Sequence, residues 1–176
     1  MTEKKSLQFH LFFWLGTIAF LLLDRISKYL AVKYLKDGSV VTIIKNVFCL
    51  QYLENRGAAF GLLQGKKVFF ILITLVFFVV ICWIYARLSA KKRFYPVFLI
   101  MSLFLTGAAG NFIDRISLNY VVDFFYFELI DFPIFNVADI YVTCGAVLFF
   151  FFFLFYYKEK DFDEMSGQIL PWKKQN

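Results

Sequence analysis

The sequence predicts an all-α membrane protein. It should have four transmembrane helices, a small extracytoplasmic β-region between the first and second, and an outer loop between the third and fourth. Three observations carry this. The chain is 61% hydrophobic and 22% aromatic, with 26 Phe in 176 residues, more apolar surface than a soluble domain of this length needs. Four runs approach the roughly 20 apolar residues that cross a bilayer core. Lys and Arg are shared unevenly among the connecting segments.

The first span covers about residues 11–29 and is apolar until Asp24. It runs into Asp24-Arg25-Ile26-Ser27-Lys28 without a small-residue cleavage site, so it reads as a retained span rather than a signal peptide. The β-rich segment 38–64 follows. Val40 to Ile44 and Phe48 to Tyr52 are β-branched or aromatic runs separated by Lys45-Asn46, a hairpin pattern with a third strand expected after Gly57. An isolated hairpin is marginal in water, so it should lie on the membrane surface or cap the helices. The second span, 67–85, is the cleanest. The third, 94–113, ends in Gly107, Ala108, Ala109 and Gly110, small residues that let helices approach closely. The outer segment 116–138 is strand-like over Tyr120 to Ile130, and Pro133 breaks any helix there. The fourth span, 139–157, ends in a Phe-rich run. All of this forms a single membrane domain, 1–176.

Orientation follows from the basic residues. Lys4 and Lys5 precede the first span. Arg87, Lys91, Lys92 and Arg93 occupy the loop between the second and third. Lys158, Lys160, Lys173 and Lys174 follow the fourth, whereas 116–138 holds no Lys or Arg. Both termini and the middle loop are therefore expected to be cytoplasmic. Lys33, Lys36, Lys45, Arg56 and Lys66 run against the rule, but an even number of spans forces their segment outward. The net charge of +6 reads as topology-setting, and with no basic stripe bearing interleaved aromatics, nucleic acid is excluded as a partner. The acidic patch Asp161, Asp163 and Glu164 reads as a solvated terminus.

On this topology the polar residues gather at one face. Asp24 and Lys28 lie at the outer end of the first span, Asn55 and Arg56 after the hairpin, and Asn111, Asp114 and Arg115 at the outer end of the third span. Asp123 lies in the outer segment, and Asn136 and Asp139 at the start of the fourth span. Ionisable groups at membrane depth are costly and mark function. Asp123 and Asp139 have no basic residue within four positions, and Asp139 also suits a helix N-cap. The one His, His10, is near the opposite face, which removes a Ser-His-Asp or Cys-His arrangement. Cys49, Cys82 and Cys144 have no metal spacing, so no metal and no cofactor is expected. What remains is a carboxylate pair, able to share a proton and activate water. A small ion-coupled transporter is the rival reading, since intramembrane carboxylates also relay protons. It requires polar groups through the bilayer depth.

Five blocks carry a family resemblance. They are Leu23-Asp24-Arg25-Ile26-Ser27-Lys28, Glu54-Asn55-Arg56-Gly57-Ala58-Ala59-Phe60-Gly61, Gly107-Ala108-Ala109-Gly110-Asn111-Phe112-Ile113-Asp114-Arg115, Val121-Val122-Asp123-Phe124 and Phe135-Asn136-Val137-Ala138-Asp139. In content and order they resemble the signatures of bacterial lipoprotein signal peptidase (signal peptidase II), over about residues 11 to 157. The resemblance implies an aspartic endopeptidase that cuts diacylglyceryl-modified prolipoproteins before the lipidated cysteine. It implies Asp123 and Asp139 as the catalytic pair, with Asp24, Lys28, Asn55, Arg56, Asn111, Asp114, Arg115 and Asn136 orienting the pair or the substrate. Membrane lipid and globomycin-type peptide antibiotics are its implied further partners. Two departures stand out: Arg25 replaces an expected neutral residue such as Gln, and the stretch between the two Asp is short for the family.

Overall fold

A computed structural model describes residues 6–57 and 64–170. Lys4, Lys5, Lys173, Lys174, the block residues Ala58 to Gly61 and the strand expected directly after Gly57 lie outside the described residues.

Helix α1, Leu7–Leu35, starts where the Ser6 hydroxyl accepts the Phe9 N–H at 3.2 Å, satisfying one of the amides that a first helical turn leaves unpaired. It runs two turns beyond the predicted span end at residue 29. Strands β1, Val40–Ile44, and β2, Phe48–Asn55, form the hairpin, and Asn46 at its tip has φ 57°. Helix α2, Lys67–Arg87, fully buries only Ile81 and packs Phe77, Ile84 and Tyr85 against the bundle, leaving the rest of its surface to lipid. Helix α3, Tyr95–Ser117, is entered through a tight turn at Lys92–Phe94 and has Pro in its first turn. Strand β3, Val121–Tyr126, follows, then a short turn at Glu128–Ile130. Helix α4, Val137–Phe151, continues as a wide turn over Phe152–Tyr156, and α5 is Glu159–Ile169. Four of these helical segments are long and apolar enough to cross a membrane.

The all-α expectation is corrected. The described residues hold a three-stranded antiparallel sheet of order β1-β2-β3. Its third strand comes from the strand-like part of the outer segment, where Val122 and Phe124 bury their side chains against Ala31 and Leu35 of α1 and so favour an extended, paired backbone. The pairing sets Leu53 opposite Asp123 and Asn55 opposite Val121. The solvated-terminus reading of the tail is also corrected. Asp161 is buried, binds Arg93 at 2.7 Å and caps α5 through the Lys158 N–H, while Glu164 pairs with Lys91. Phe162 and Met165 join the apolar cluster of Phe13, Leu88, Phe94 and Phe98 that closes this end of the bundle.

Helix α3 is the hub, burying residues on several faces, among them Thr106, Gly107, Gly110 and Asp114. Its glycines set how near the neighbours come. A Cβ at Gly107 would lie 2.5 Å from the Ala138 carbonyl oxygen, and one at Gly110 would collide with the Asp24 carboxylate. Small residues thus bring α1 and α4 against the same turn of α3.

Gly107→Val should therefore separate α3 from α4 and cost about 1–3 kcal/mol. Gly16→Ala, which fills open space, should not destabilise. Thermal unfolding of the two purified variants in detergent measures the contrast, and an unaltered midpoint for Gly107→Val would contradict this packing.

Candidate active site

Backbone pairing determines where the two sequence-marked acids sit. Phe125 donates its N–H to the Phe135 carbonyl at 2.8 Å, and Phe135 donates back to Phe125 at 3.0 Å. Asp123 lies two residues before one end of this pair, and Asn136 follows the other. The C-terminal half of β3 is thereby laid beside the residues that lead into α4.

Asn136, fully buried, is the N-cap of α4, and Asp139 is the third helical residue rather than the cap itself. The two exchange bonds as a capping box: Asn136 Oδ1 accepts the Asp139 N–H, and Asp139 Oδ2 accepts the Asn136 N–H at 3.0 Å. Asn136 Nδ2 then donates to Asp123 Oδ1 at 2.6 Å and to Asn111 Oδ1 at 3.1 Å. Asn111 Nδ2 donates to Asp139 Oδ1 at 2.8 Å, and Asn55 Nδ2 donates to Asp123 Oδ2 at 2.8 Å. All four carboxylate oxygens of the pair have a donor. Asn55 is itself held by a turn in which its Oδ1 accepts the Gly57 N–H.

Behind the pair lies a buried ion cluster. Asp24 and Asp114 are fully buried and Lys28 is 1% exposed. Lys28 Nζ donates to Asn111 Oδ1 at 2.8 Å and pairs electrostatically with Asp114 at 2.9 Å and Asp24 at 3.4 Å. Each buried acid also grips backbone. Asp24 accepts the N–H of Ala138, the residue before Asp139, and Asp114 accepts the N–H of Val122, the residue before Asp123. Breaking a buried pair of this kind leaves an uncompensated charge, so the cluster and the acid pair are mechanically one unit.

The front of the pair is open. Asp123 and Asp139 line a cavity of about 450 Å³ with Asn55, Asn111 and Arg115. Gly57 and Val121 join this wall, with Phe132 to Phe135 between β3 and α4, and Ile140, Val142, Thr143 and Cys144 on α4. Arg115 holds the Gly57 carbonyl at 3.3 Å and covers the Phe70 ring. Arg56 is not drawn in: it pairs with Glu54 at 3.5 Å, is exposed, and is absent from the cavity wall because its side chain leaves the opposite side of the backbone from Asn55. Three contributors were missed in the sequence. The apolar wall has no chemical signature, although Thr143 stands one helical turn beyond Asp139. The gripping amides of Val122 and Ala138 are backbone. Arg25, which the sequence marks only as a departure from the family's neutral residue, donates to Asp114.

Burial, and then the neighbouring charge of Asp139, push the Asp123 carboxyl up to about 7, against the opposing pull of the Asn55 and Asn136 bonds and Lys28. Two carboxylates held by neutral amides beside one cavity can share a proton and polarise a water between them. Among the described residues no group of three or more His, Cys, Asp or Glu could hold a metal ion.

Comparisons with known proteins were made against this geometry. The family described as Signal peptidase (SPase) II matches residues 17–155. A lipoprotein signal peptidase of Caldanaerobacter subterraneus is 45% identical over 127 residues, 72% of this chain and 84% of that protein. One from Brevibacillus brevis is 44% identical over 135 residues, 77% of this chain and 89% of that protein. A solved structure described as a bacterial membrane enzyme, determined at 1.9 Å resolution, superimposes with TM-score 0.72 at 31% identity, covering 89% of this chain and 99% of its own.

The raised Asp123 carboxyl has a signed consequence. The folded protein keeps this proton more tightly than the unfolded chain, whose carboxyl has its ordinary value of 3.8. The associated stability is complete below pH 3.8 and is lost as pH rises towards 7. Over that window the melting temperature of the wild type should fall relative to Asp123→Asn, which carries no titrating proton. Parallel melting curves across pH would refute the shift.

Proposed function

The chain belongs to the signal peptidase II family, and on that premise we propose that it removes signal peptides from diacylglyceryl-modified prolipoproteins as an aspartic endopeptidase. The observation that carries the reading is the four-point fixation of Asp123 and Asp139 on one open cavity. The raised carboxyl of Asp123 suits it to begin as the protonated partner that donates to the scissile carbonyl. Asp139 is then the ionised partner that takes a proton from water. Attack gives a tetrahedral intermediate, and the proton returned to the leaving nitrogen completes cleavage before the lipidated cysteine. Arg115, at the cavity wall with its guanidinium partly committed to Gly57, is placed to receive a substrate carbonyl. The chemistry requires no cofactor.

The cavity also fits the substrate's double nature. Its polar apex suits a peptide bond, and its apolar wall along α4 suits a chain that stays in lipid. This is consistent with an active site on the extracytoplasmic side of the bacterial inner membrane, with both termini cytoplasmic. A globomycin-type peptide would compete for the same cavity. The transporter alternative is not supported: Asp24, Lys28, Asp114 and Asp123 gather at one end of the bundle, and below them the hydroxyls of Thr17, Ser102 and Thr106 are bonded to one another and to the backbone of α1 rather than forming a charged path.

Cleavage of a lipidated precursor by purified protein should fall by at least about a thousandfold for Asp123→Asn and for Asp139→Asn, each with retained folding. Wild-type rates in either would remove the dyad. The same assay should find an unlipidated precursor cut poorly, and equal rates on both forms would reject the lipid-anchored substrate.

A further inference from the structure

The buried ion cluster contains two carboxylates, Asp24 and Asp114, but only one fully buried cation, Lys28. The second positive charge is Arg25, whose side chain is 32% exposed. Its guanidinium donates to Asp114 Oδ1 and, at 3.3 Å, to the Gly110 carbonyl. It also stands 3.9 Å from Asp24. Asp114 is therefore shared: Oδ1 faces Arg25, while Oδ2 faces Lys28 and the Val122 N–H. The neighbouring cation on α3 itself is Arg115, which bonds Gly57 instead.

This division bears on the acid pair. Lys28 faces two carboxylates, at 2.9 Å from Asp114 and 3.4 Å from Asp24, and donates a hydrogen bond to Asn111 Oδ1. That bond, with the one from Asn136, settles which end of the Asn111 amide faces Asp139. If Arg25 were neutral and without a donor, Asp114 would have only Lys28 as a cationic partner. The ammonium would be drawn towards two unbalanced carboxylates and away from Asn111. Asp114 would also turn from the Val122 N–H, the backbone group adjoining Asp123.

We propose that Arg25 is a positioning residue for the reaction: by neutralising Asp114 it frees Lys28 to orient Asn111 on Asp139 and keeps Val122, and so Asp123, in register. Arg25 touches neither acid of the pair and does not line the cavity, so its effect is on the geometry of the reacting groups rather than on substrate binding. The inference rests on the assignment of Asp123 and Asp139 as the catalytic pair.

The test is the kinetics of lipidated-precursor cleavage by full-length enzyme reconstituted in phospholipid vesicles. Arg25→Met should lower kcat by at least about tenfold, the scale of a small misplacement of reacting groups, with KM changed less than about twofold. Arg25→Lys, which retains a cation and a donor, should restore most of the rate. In an Asp114→Asn background, Arg25→Met should cause no further loss, since its route is already cut. Wild-type kcat in Arg25→Met would overturn the proposal. So would equal losses in Arg25→Met and Arg25→Lys, a change confined to KM, or an additive loss in Asp114→Asn. If Arg25→Met does not fold, Arg25→Gln, which keeps a donor without the charge, is read by the same criteria. Asp139→Asn assayed in parallel separates the two hypotheses: activity there indicts the dyad, whereas a normal Arg25→Met beside an inactive Asp139→Asn indicts Arg25 alone.

Discussion

A carboxylate at the edge of lipid is tolerated only where fixed donors replace the water it gives up. Most of this structure follows from that constraint. Asp24 and Asp114 are deeply buried and are met by Lys28, Arg25 and two backbone amides. Those amides belong to Val122 and Ala138, each directly before a member of the cavity-facing pair. The cost of burying charge is offset by contacts that also place β3 and α4. The glycines of α3 serve the same end, since Gly110 is where the Asp24 carboxylate lies against the helix. Fold and site are consequently hard to separate: weakening the ion cluster loosens the elements that carry the chemistry.

The neutral amides have a different part. Asn55, Asn111 and Asn136 hold the oxygens of Asp123 and Asp139 without adding charge. Cations in direct contact would stabilise both carboxylates in the ionised form and remove the proton that the pair must share. The positive charge of Lys28 is instead relayed through Asn111, one residue removed. The arrangement keeps a raised carboxyl at Asp123 beside a strongly charged cluster, which neither alone would explain.

Much of this was legible in the sequence. The four spans are continuous apolar runs, and the one-sided gathering of Asp24, Lys28, Asn111, Asp114, Asp123 and Asp139 follows from counting positions along them. What escaped was non-local. Strand β3 was visible as a β-branched run, but nothing in the string said that it would pair with β2, because its pairing partner is nearly seventy residues away. Arg56 carried the same sequence credentials as Asn55 and lies outside the site, since adjacent residues of an extended chain face opposite ways. The tail looked polar and structureless because Asp161 and Phe162 take their meaning from Arg93 and from the inner apolar cluster. Arg25 looked like an oddity of composition until its partner on another helix was seen.

The length of α1 has a consequence for the bilayer itself. At about 1.5 Å per residue, its 29 residues extend some 43 Å, well beyond a hydrocarbon core of roughly 30 Å. Asp24 stands 17 residues from its start, about 26 Å along the axis, a distance shorter than that core, and the turns after it carry α1 on to Leu35, which packs against Val122 and Phe124 of β3. The helix α2, at 21 residues, spans about 32 Å and matches the core without excess. One helix thus exceeds the core while its neighbour matches it, and a bilayer much thicker or thinner than α2 would have to be met by tilting or local deformation around that helix.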